Sequence, residues 1–269
     1  MILIFGRNGY MGSAISKECE RRGLSYCNGI RVGMGHVTDQ IDRIEATLCI
    51  NAAAFIPNPS VDACKDHKDK TICGNLIWPH ILAEACYLRD IPIMHLSTGC
   101  LFDEQREYTE YEPTTRGWDG YCGFYVGTKK LAEGTVSCYW RHYILRLRLP
   151  FDEVDHPRNY LTKLTKFDKV FEHVNSLTHR GDFAKWALDL WEKKAPFGTY
   201  HCVNSGQISA KALTMNLAMN GLIPSMPQFA VSPDTTGAWL SNAKLAAAIG
   251  PVRSVHEAVA ESISNWRKE

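Results

Sequence analysis

The 269-residue sequence lacks any apolar run long enough to cross a bilayer. A membrane span needs about 20 consecutive apolar residues. The run that starts at Ile2 meets glycine after Phe5, which is also too short for the apolar segment of a secretion signal. A cytoplasmic protein with no membrane partner is therefore expected. An excess of one charge is missing too: 30 basic residues face 29 acidic ones. Basic residues never run beyond pairs such as Arg21-Arg22 and Lys129-Lys130, which excludes an extended nucleic-acid surface. The ten cysteines contain no C-x-x-C pair, and the two with a nearby histidine, Cys64 with His67 and Cys202 with His201, lack the second pair a zinc site requires. No metal site is expected. The cysteines read as free thiols of a reducing compartment, most of them small buried hydrophobes. There is no internal repeat, low-complexity tract or linker. What is present is a globular composition, 45% hydrophobic, able to bury a full core.

The stretch from Ile2 to Ile15 organises the chain. Its apolar start shows no polar alternation and reads as a strand buried on both faces. It passes directly into Gly6-x-x-Gly9-x-x-Gly12. In a strand, tight turn and helix, such glycines let the backbone turn sharply and approach a pyrophosphate, which the free N–H groups of the helix N-terminus then hold. The residues from Gly6 through Arg7, Asn8, Gly9, Tyr10 and Met11 to Gly12 are thus a candidate dinucleotide site. The third glycine is expected to open a helix over 10–22 with Gly23 as its C-cap, followed by a strand over 24–27. An NAD-binding turn usually has Asp or Glu at the end of that strand, to bind the ribose hydroxyls. This chain has Asn28-Gly29-Ile30-Arg31 instead, and Arg7 in the first turn. Arginine suits a 2′-phosphate, so NADP(H) is the expected cofactor.

Further along, a helix over 38–46 and a strand over 48–51 lead to Ala52, Ala53 and Ala54, whose small side chains let a cofactor approach the strand end. Ser60 is expected to cap a short helix to residue 68, and a longer helix over 71–89 should kink at Pro79, one turn after Asn75. A strand over 91–97 gives way to Ser97-Thr98-Gly99-Cys100-Leu101-Phe102. A polar, Gly-rich loop over 104–123 precedes a helix opening with Tyr125-Val-Gly-Thr-Lys129, and a strand over 142–148 follows. The alternation predicts an α/β fold, a Rossmann-type doubly wound parallel sheet over 1–150 with right-handed crossovers. Beyond Pro150 short strands (169–174, 199–203, 228–231) mix with helices (182–193, 210–220, 242–249, 255–266). This predicts a smaller mixed α/β substrate region over 151–269, closing the cleft, with room for part of it to return to the first sheet.

Tyr125 and Lys129 lie four apart and so share one helix face. A free phenol titrates near about 10 and is a poor proton donor at neutral pH, but an ammonium one turn away should favour its ionised form and lower its pKa. A hydroxyl from Thr98 could bond the same carbonyl oxygen, which sets an acid and an orienting donor around one reacting group. Arg146 and Arg148, on a strand expected to be buried, need partners, and an anionic substrate group is one among several.

With the glycine turn, the Ser-Thr strand end and Tyr-x-x-x-Lys in this order, the chain resembles the extended short-chain dehydrogenase/reductases. Within them it looks most like the dTDP-4-dehydrorhamnose reductase group, in particular its bifunctional nucleotide-sugar 3,5-epimerase/4-reductases. The likeness rests on Asn51-Ala-Ala through Cys64, on Ser97 to Phe102, on Leu145-Arg-Leu-Arg-Leu-Pro150, and on His156-Pro-Arg-Asn-Tyr-Leu-Thr-Lys163, with Asn175-Ser176-Leu177-Thr178 beyond. The resemblance implies Thr98, Tyr125 and Lys129 as a reductase triad. It implies Asn75, Ser97, Arg158, Asn159, Asn175 and Ser176 around the substrate, and a homodimer through the Tyr125 helix. Epimerising members carry Cys where Cys100 stands and Lys where Lys163 stands, whereas pure reductases carry Tyr at the cysteine position. The activity implied is NADPH-dependent reduction of a nucleotide-linked 4-keto-6-deoxyhexose, with proton exchange at carbons 3 and 5. A reductase without epimerase activity and a non-catalytic NADP-binding subunit of the same fold are the alternatives; the intact Thr98, Tyr125 and Lys129 argue against the second. The segment from Thr235 to Ser241 lacks the Arg-Pro typical of the reductases, which leaves UDP and dTDP both open.

Overall fold

Apolar runs that point side chains alternately to two buried faces make the strands of one parallel sheet. A computed structural model describes all residues except Val32, Pro59, 232–236 and Glu269; Thr235 and Thr236 of the segment just named lie outside the described residues. The strands are β1 (Ile2–Phe5), β2 (Tyr26–Asn28), β3 (Leu48–Asn51), β4 (Ile93–Thr98), β5 (His142–Leu147) and β6 (Gly198–His201). They lie in the order β6-β5-β4-β3-β1-β2, every pair parallel. The direction of winding reverses between β1 and β3, and a crevice opens outside the strand ends at that point. The α/β doubly wound fold read from the sequence is the fold observed.

The helices are α1 (Tyr10–Arg21), α2 (Met34–Ile44), α3 (Lys68–Ile72), α4 (Trp78–Leu88), α5 (Gly123–Ser137), α6 (Tyr160–Leu164), α7 (Arg180–Glu192), α8 (Ala210–Met219), α9 (Ala243–Ile249) and α10 (Val255–Ser264). On one face of the sheet Ile2, Ile4 and Leu96 pack against Ile15 of α1 and Phe183 and Leu188 of α7. On the other face Leu3, Phe5 and Ile93 pack against Ile41 of α2, Leu82 of α4 and Val136 of α5. Each such side chain contributes about 1.5–3 kcal/mol on burial. Strand β6 and helix α7 come from beyond residue 150, so the second half of the chain completes the first sheet and one of its helical layers. A separate core of Phe151, Leu161, Leu213, Val255 and Val259 holds α6, α8 and α10 together. Among the described residues, no helix is long and apolar enough to cross a membrane.

Helix α1 keeps its expected start at Tyr10, with Gly9 at the N-cap and Gly12 packed inside the first turn. A Cβ on Gly12 would stand 2.1 Å from the Gly6 carbonyl oxygen. Local departures from the sequence reading have local causes. The helix expected over 71–89 is split by a π turn, Cys73–Ile77, with Pro79 in the first turn of α4. Proline has no N–H to donate and its ring crowds the carbonyl four residues back, that of Asn75, so the helix widens there rather than simply bending. Ser60 caps a 3-10 turn, Val61–Asp66, not an α-helix. The loop expected over 104–123 contains a two-residue strand, Glu107–Tyr108, paired with Trp239–Leu240.

Candidate active site

The C-terminal ends of β1, β3, β4 and β5 open onto one cavity of about 500 Å³. Its floor is the glycine turn. Gly6 has φ +81°, and a Cβ there would lie 2.6 Å from the Ala53 nitrogen, so both its backbone angle and its neighbour require glycine. Gly9 offers no side chain to the first-turn N–H groups of α1, which leaves them available to an anion. Ala52, Ala53 and Ala54 line the cavity opposite. These features fit a dinucleotide. The Arg7 guanidinium lies 5.7 Å from the Tyr26 ring of β2. Arg31 donates to the Cys73 carbonyl at 2.8 Å and sits 5.4 Å from the Trp78 ring. Asn8 is exposed on the turn, and Met11 lines the cavity. Tyr10 stacks on His156 at 4.7 Å and donates its hydroxyl to Asp152 at 2.9 Å, with Arg180 bonded to the same carboxylate. That network ties the glycine turn to the second half of the chain, and nothing in the sequence pattern announced it.

Helix α5 brings Tyr125 and Lys129 to the cavity wall, facing Thr98 at the end of β4. The Lys129 ammonium donates to the Leu96 carbonyl at 2.7 Å and lies 3.0 Å from His95 Nε2. His95 Nδ1 is 3.0 Å from the Asn51 side-chain amide, whose oxygen accepts from the Ala53 N–H. A buried polar chain thus links Lys129 to the end of β3. Burial lowers Lys129 to about 8. Tyr125 departs from expectation: its phenol is raised, not lowered, first by burial and then by the charge of Cys100, with the hydrogen bond from Thr98 opposing. Lys129 has turned its charge toward His95 and Leu96, so desolvation prevails over the ammonium one turn away.

Cys100 stands in the same cavity, in the short turn Gly99–Leu101, where Thr98 Oγ1 accepts from the Cys100 N–H at 3.1 Å. Its thiol is lowered to about 5 by a hydrogen bond with Cys122, by Arg148, by the Thr98 hydroxyl and by Arg116, all of which outweigh burial. Cys19, Cys64, Cys86 and Cys202 are instead pushed up by burial. Lys163, from α6, lines the cavity and is lowered by burial and by Arg158. Arg158 lines it too and donates to the Ile56 carbonyl at 2.6 Å. Asn175 lines it while its oxygen accepts from Arg148 at 2.6 and 3.0 Å.

Four expected contact residues instead have their polar groups committed inside the fold. Asn75, turned inward by the π turn, clasps the Phe55 N–H and carbonyl at 2.7 and 2.9 Å. Asn159 caps α6 and donates to the Asp152 and Val154 carbonyls at 2.8 and 2.7 Å. Ser176 accepts from the Leu240 N–H at 2.8 Å. Ser97 reaches the cavity wall, but its hydroxyl donates to Glu133 at 2.5 Å, the carboxylate that also pairs with Arg146 at 2.7 Å. Arg146 is therefore a structural cation. Arg116, Cys122, Tyr160 and His173 line the cavity without a role having been read for them from sequence, and Tyr121, the alternative proton donor to Tyr125, lines it too. Among the described residues no cluster of His, Cys, Asp and Glu could hold a metal ion.

Fold and site together define a Rossmann-type α/β protein with a glycine turn and a Tyr-x-x-x-Lys helix at one cleft. The chain matches the family described as "RmlD substrate binding domain" over residues 1–265, and belongs to it. Among curated relatives it is 29% identical over 222 residues to a trifunctional UDP-glucose 4,6-dehydratase/UDP-4-keto-6-deoxy-D-glucose 3,5-epimerase/UDP-4-keto-L-rhamnose-reductase of Arabidopsis thaliana, a match covering 77% of this chain and 32% of that one. It is also 29% identical over 222 residues to a bifunctional dTDP-4-dehydrorhamnose 3,5-epimerase/dTDP-4-dehydrorhamnose reductase of the same plant, covering 77% and 71%. The chain thus spans about a third of the length of the trifunctional relative. The UDP-rhamnose synthase L780 of Acanthamoeba polyphaga mimivirus shares the fold with a TM-score of 0.88 at 20% identity, over 98% of each chain. A dTDP-4-dehydrorhamnose reductase of Bacillus anthracis, solved with NADP, shares it at 0.80 and 16%, over 98% of this chain and 97% of that one.

Proposed function

We propose that the protein is an NADPH-dependent reductase of a UDP- or dTDP-linked 4-keto-6-deoxyhexose that also exchanges the protons at carbons 3 and 5. The observation that carries this reading is a single cavity in which Thr98 and Tyr125 share the walls with Cys100 and Lys163, and four cations, Arg116, Lys129, Arg158 and Lys163, meet no carboxylate among the described lining residues. Such a lining favours an anionic ligand, as a nucleoside diphosphate is. The names of the relatives point the same way.

The glycine turn, Ala52 to Ala54 and Lys129 would hold the dinucleotide, whose chemistry when bound is hydride delivery. Tyr125 gives the proton to the oxygen at carbon 4, and Thr98 orients both. Cys100 and Lys163 take and return the protons next to the ketone, which acidifies them. Consumption of NADPH with a 4-keto-6-deoxy nucleotide sugar tests the reading; binding without turnover would leave the non-catalytic subunit in its place. Ten unpaired thiols support a reducing, cytoplasmic setting, and exposed Leu131 on α5 and Tyr87 on α4 support a homodimer across these helices.

Two further results are expected. NADPH binds more tightly than NADH by about 1–3 kcal/mol through a charge-assisted contact to the 2′-phosphate. Titration of both cofactors against wild type and against Arg7→Ala with Arg31→Ala decides this, and equal affinities in wild type would remove the argument. The second result concerns pH. Lys129 is lowered to about 8, so it is charged below that pH and neutral above it. The rate of reduction should therefore fall as pH rises through about 8, and a profile flat to pH 10 would show that the Lys129 charge is not needed.

A further inference from the structure

The proton transfers just described use neither Cys122 nor Arg116, yet both line the cavity with Cys100. Cys122 precedes α5 with φ +56°, a left-handed conformation that glycine adopts freely and side chains with a Cβ resist. Its backbone N–H donates to the Asp62 carboxylate at 3.0 Å, and its carbonyl accepts from Val126 at 2.9 Å. Its side chain is buried with Leu101, Tyr125 and Val203, and Cys100 packs against that cluster. Both thiols line the one cavity, and the side-chain interaction with Cys122 is the largest influence lowering the Cys100 thiol. Glycine would satisfy every backbone demand of this position except the supply of a sulfur, and a residue held against its backbone preference at a ligand cavity points to function.

Arg116 adds an independent observation. It is only 8% exposed, its N–H donates to the Leu101 carbonyl at 3.0 Å and one guanidinium nitrogen donates to the Tyr121 carbonyl at 3.2 Å. Its Nε, buried, has no partner among the described residues. A buried guanidinium left half-satisfied needs a compensating negative group, and Cys100, lining the same cavity, is a thiol that the Arg116 charge helps to lower.

We propose that Cys122 is a positioning residue for Cys100, its S–H donating to the Cys100 sulfur and holding that sulfur as an acceptor aimed into the cavity, with Arg116 supplying the compensating charge from the same segment. The inference rests on the reading of Cys100 as the proton-transfer thiol. The groups that face this sulfur are Thr98 on its own turn, Arg148 after β5, Arg116, Tyr121 and Cys122 before α5, Tyr125 on α5 and Lys163 on α6. Arg148, Arg116 and Lys163 favour the anion, so Cys122 acts within a field already cationic.

The test is alkylation of the full-length protein by iodoacetamide across pH, read at the Cys100 peptide by mass spectrometry. Cys122→Gly, which the backbone angle accommodates, should raise the midpoint of Cys100 alkylation by about one pH unit or more, a tenfold loss of thiolate at a fixed lower pH. Cys122→Ser, which keeps a hydroxyl donor, should restore most of it. Deuterium uptake from deuterated water at carbons 3 and 5 should fall and recover in parallel. An unmoved midpoint in Cys122→Gly, or a Cys122→Ser variant that behaves like Cys122→Gly while both unfold at the wild-type temperature, overturns the proposal. If alkylation responds as expected but wild type takes up no deuterium, the pairing stands and the epimerising role of Cys100 falls.

Discussion

Tyr125→Phe lowers the rate of reduction at carbon 4 by about 100-fold or more and leaves NADPH affinity within about twofold. Tyr125 is buried, and phenylalanine fills the same space in the cluster of Leu101, Phe102 and Val126, so the fold and the walls of the cavity survive the change. What is lost is the hydroxyl that Thr98 hydrogen-bonds. Burial and the charge of Cys100 hold that phenol protonated, so it stands ready to donate rather than to accept. Its contribution should therefore appear in kcat, where the developing alkoxide needs a proton, and not in cofactor binding. Single-turnover rates and NADPH titration on the same preparation separate the two. A near-normal rate would move the acid elsewhere, and Tyr121, whose ring lines the same cavity, is the first substitute to examine.

The parts of this site that could be read from sequence are those governed by local periodicity. The apolar run from Ile2 and the glycine spacing specify a strand and turn by themselves, and Tyr125 and Lys129 meet because one helical turn separates them. The partner that Lys129 chose could not be read that way, because His95 lies 34 residues earlier and reaches it only through the pairing of β4 with β5 beneath α5. Asn75, Asn159 and Ser176 carry polar groups that suit a ligand equally well, and only their packing shows that these groups hold Phe55, α6 and Leu240. Arg116 and Cys122 belong to an irregular loop with no period to betray an inward direction. The return of β6 and α7 to the first sheet depends on long-range pairing that composition does not encode. Cys100 is the intermediate case: nothing in its immediate sequence distinguishes it from nine other cysteines, and its place after Thr98 marked it only by resemblance to a family.

Cys100→Ser should separate the two halves of the chemistry. In deuterated water wild type places deuterium at carbons 3 and 5, and the variant loses about 100-fold or more of that exchange, because a serine hydroxyl is a far weaker base than a thiol already ionised near neutrality. The Cys100 thiol is lowered to about 5, whereas the Tyr125 phenol beside it is raised, in part by that same sulfur. Two neighbouring groups are thereby driven to opposite protonation states, a base that is free to accept and an acid that is loaded to give. Removing the sulfur removes the base and also the adverse charge beside Tyr125, so reduction of an already epimerised substrate should continue in Cys100→Ser. The measurement is deuterium incorporation by mass spectrometry alongside NADPH oxidation with each epimer. Exchange at the wild-type rate in the variant, or no exchange in wild type, would make Cys100 one more packed thiol and the protein a plain reductase. Loss of both activities together, in a variant that unfolds at the wild-type temperature, would instead show that the sulfur shapes the carbon-4 site and that the acid and the base cannot be uncoupled.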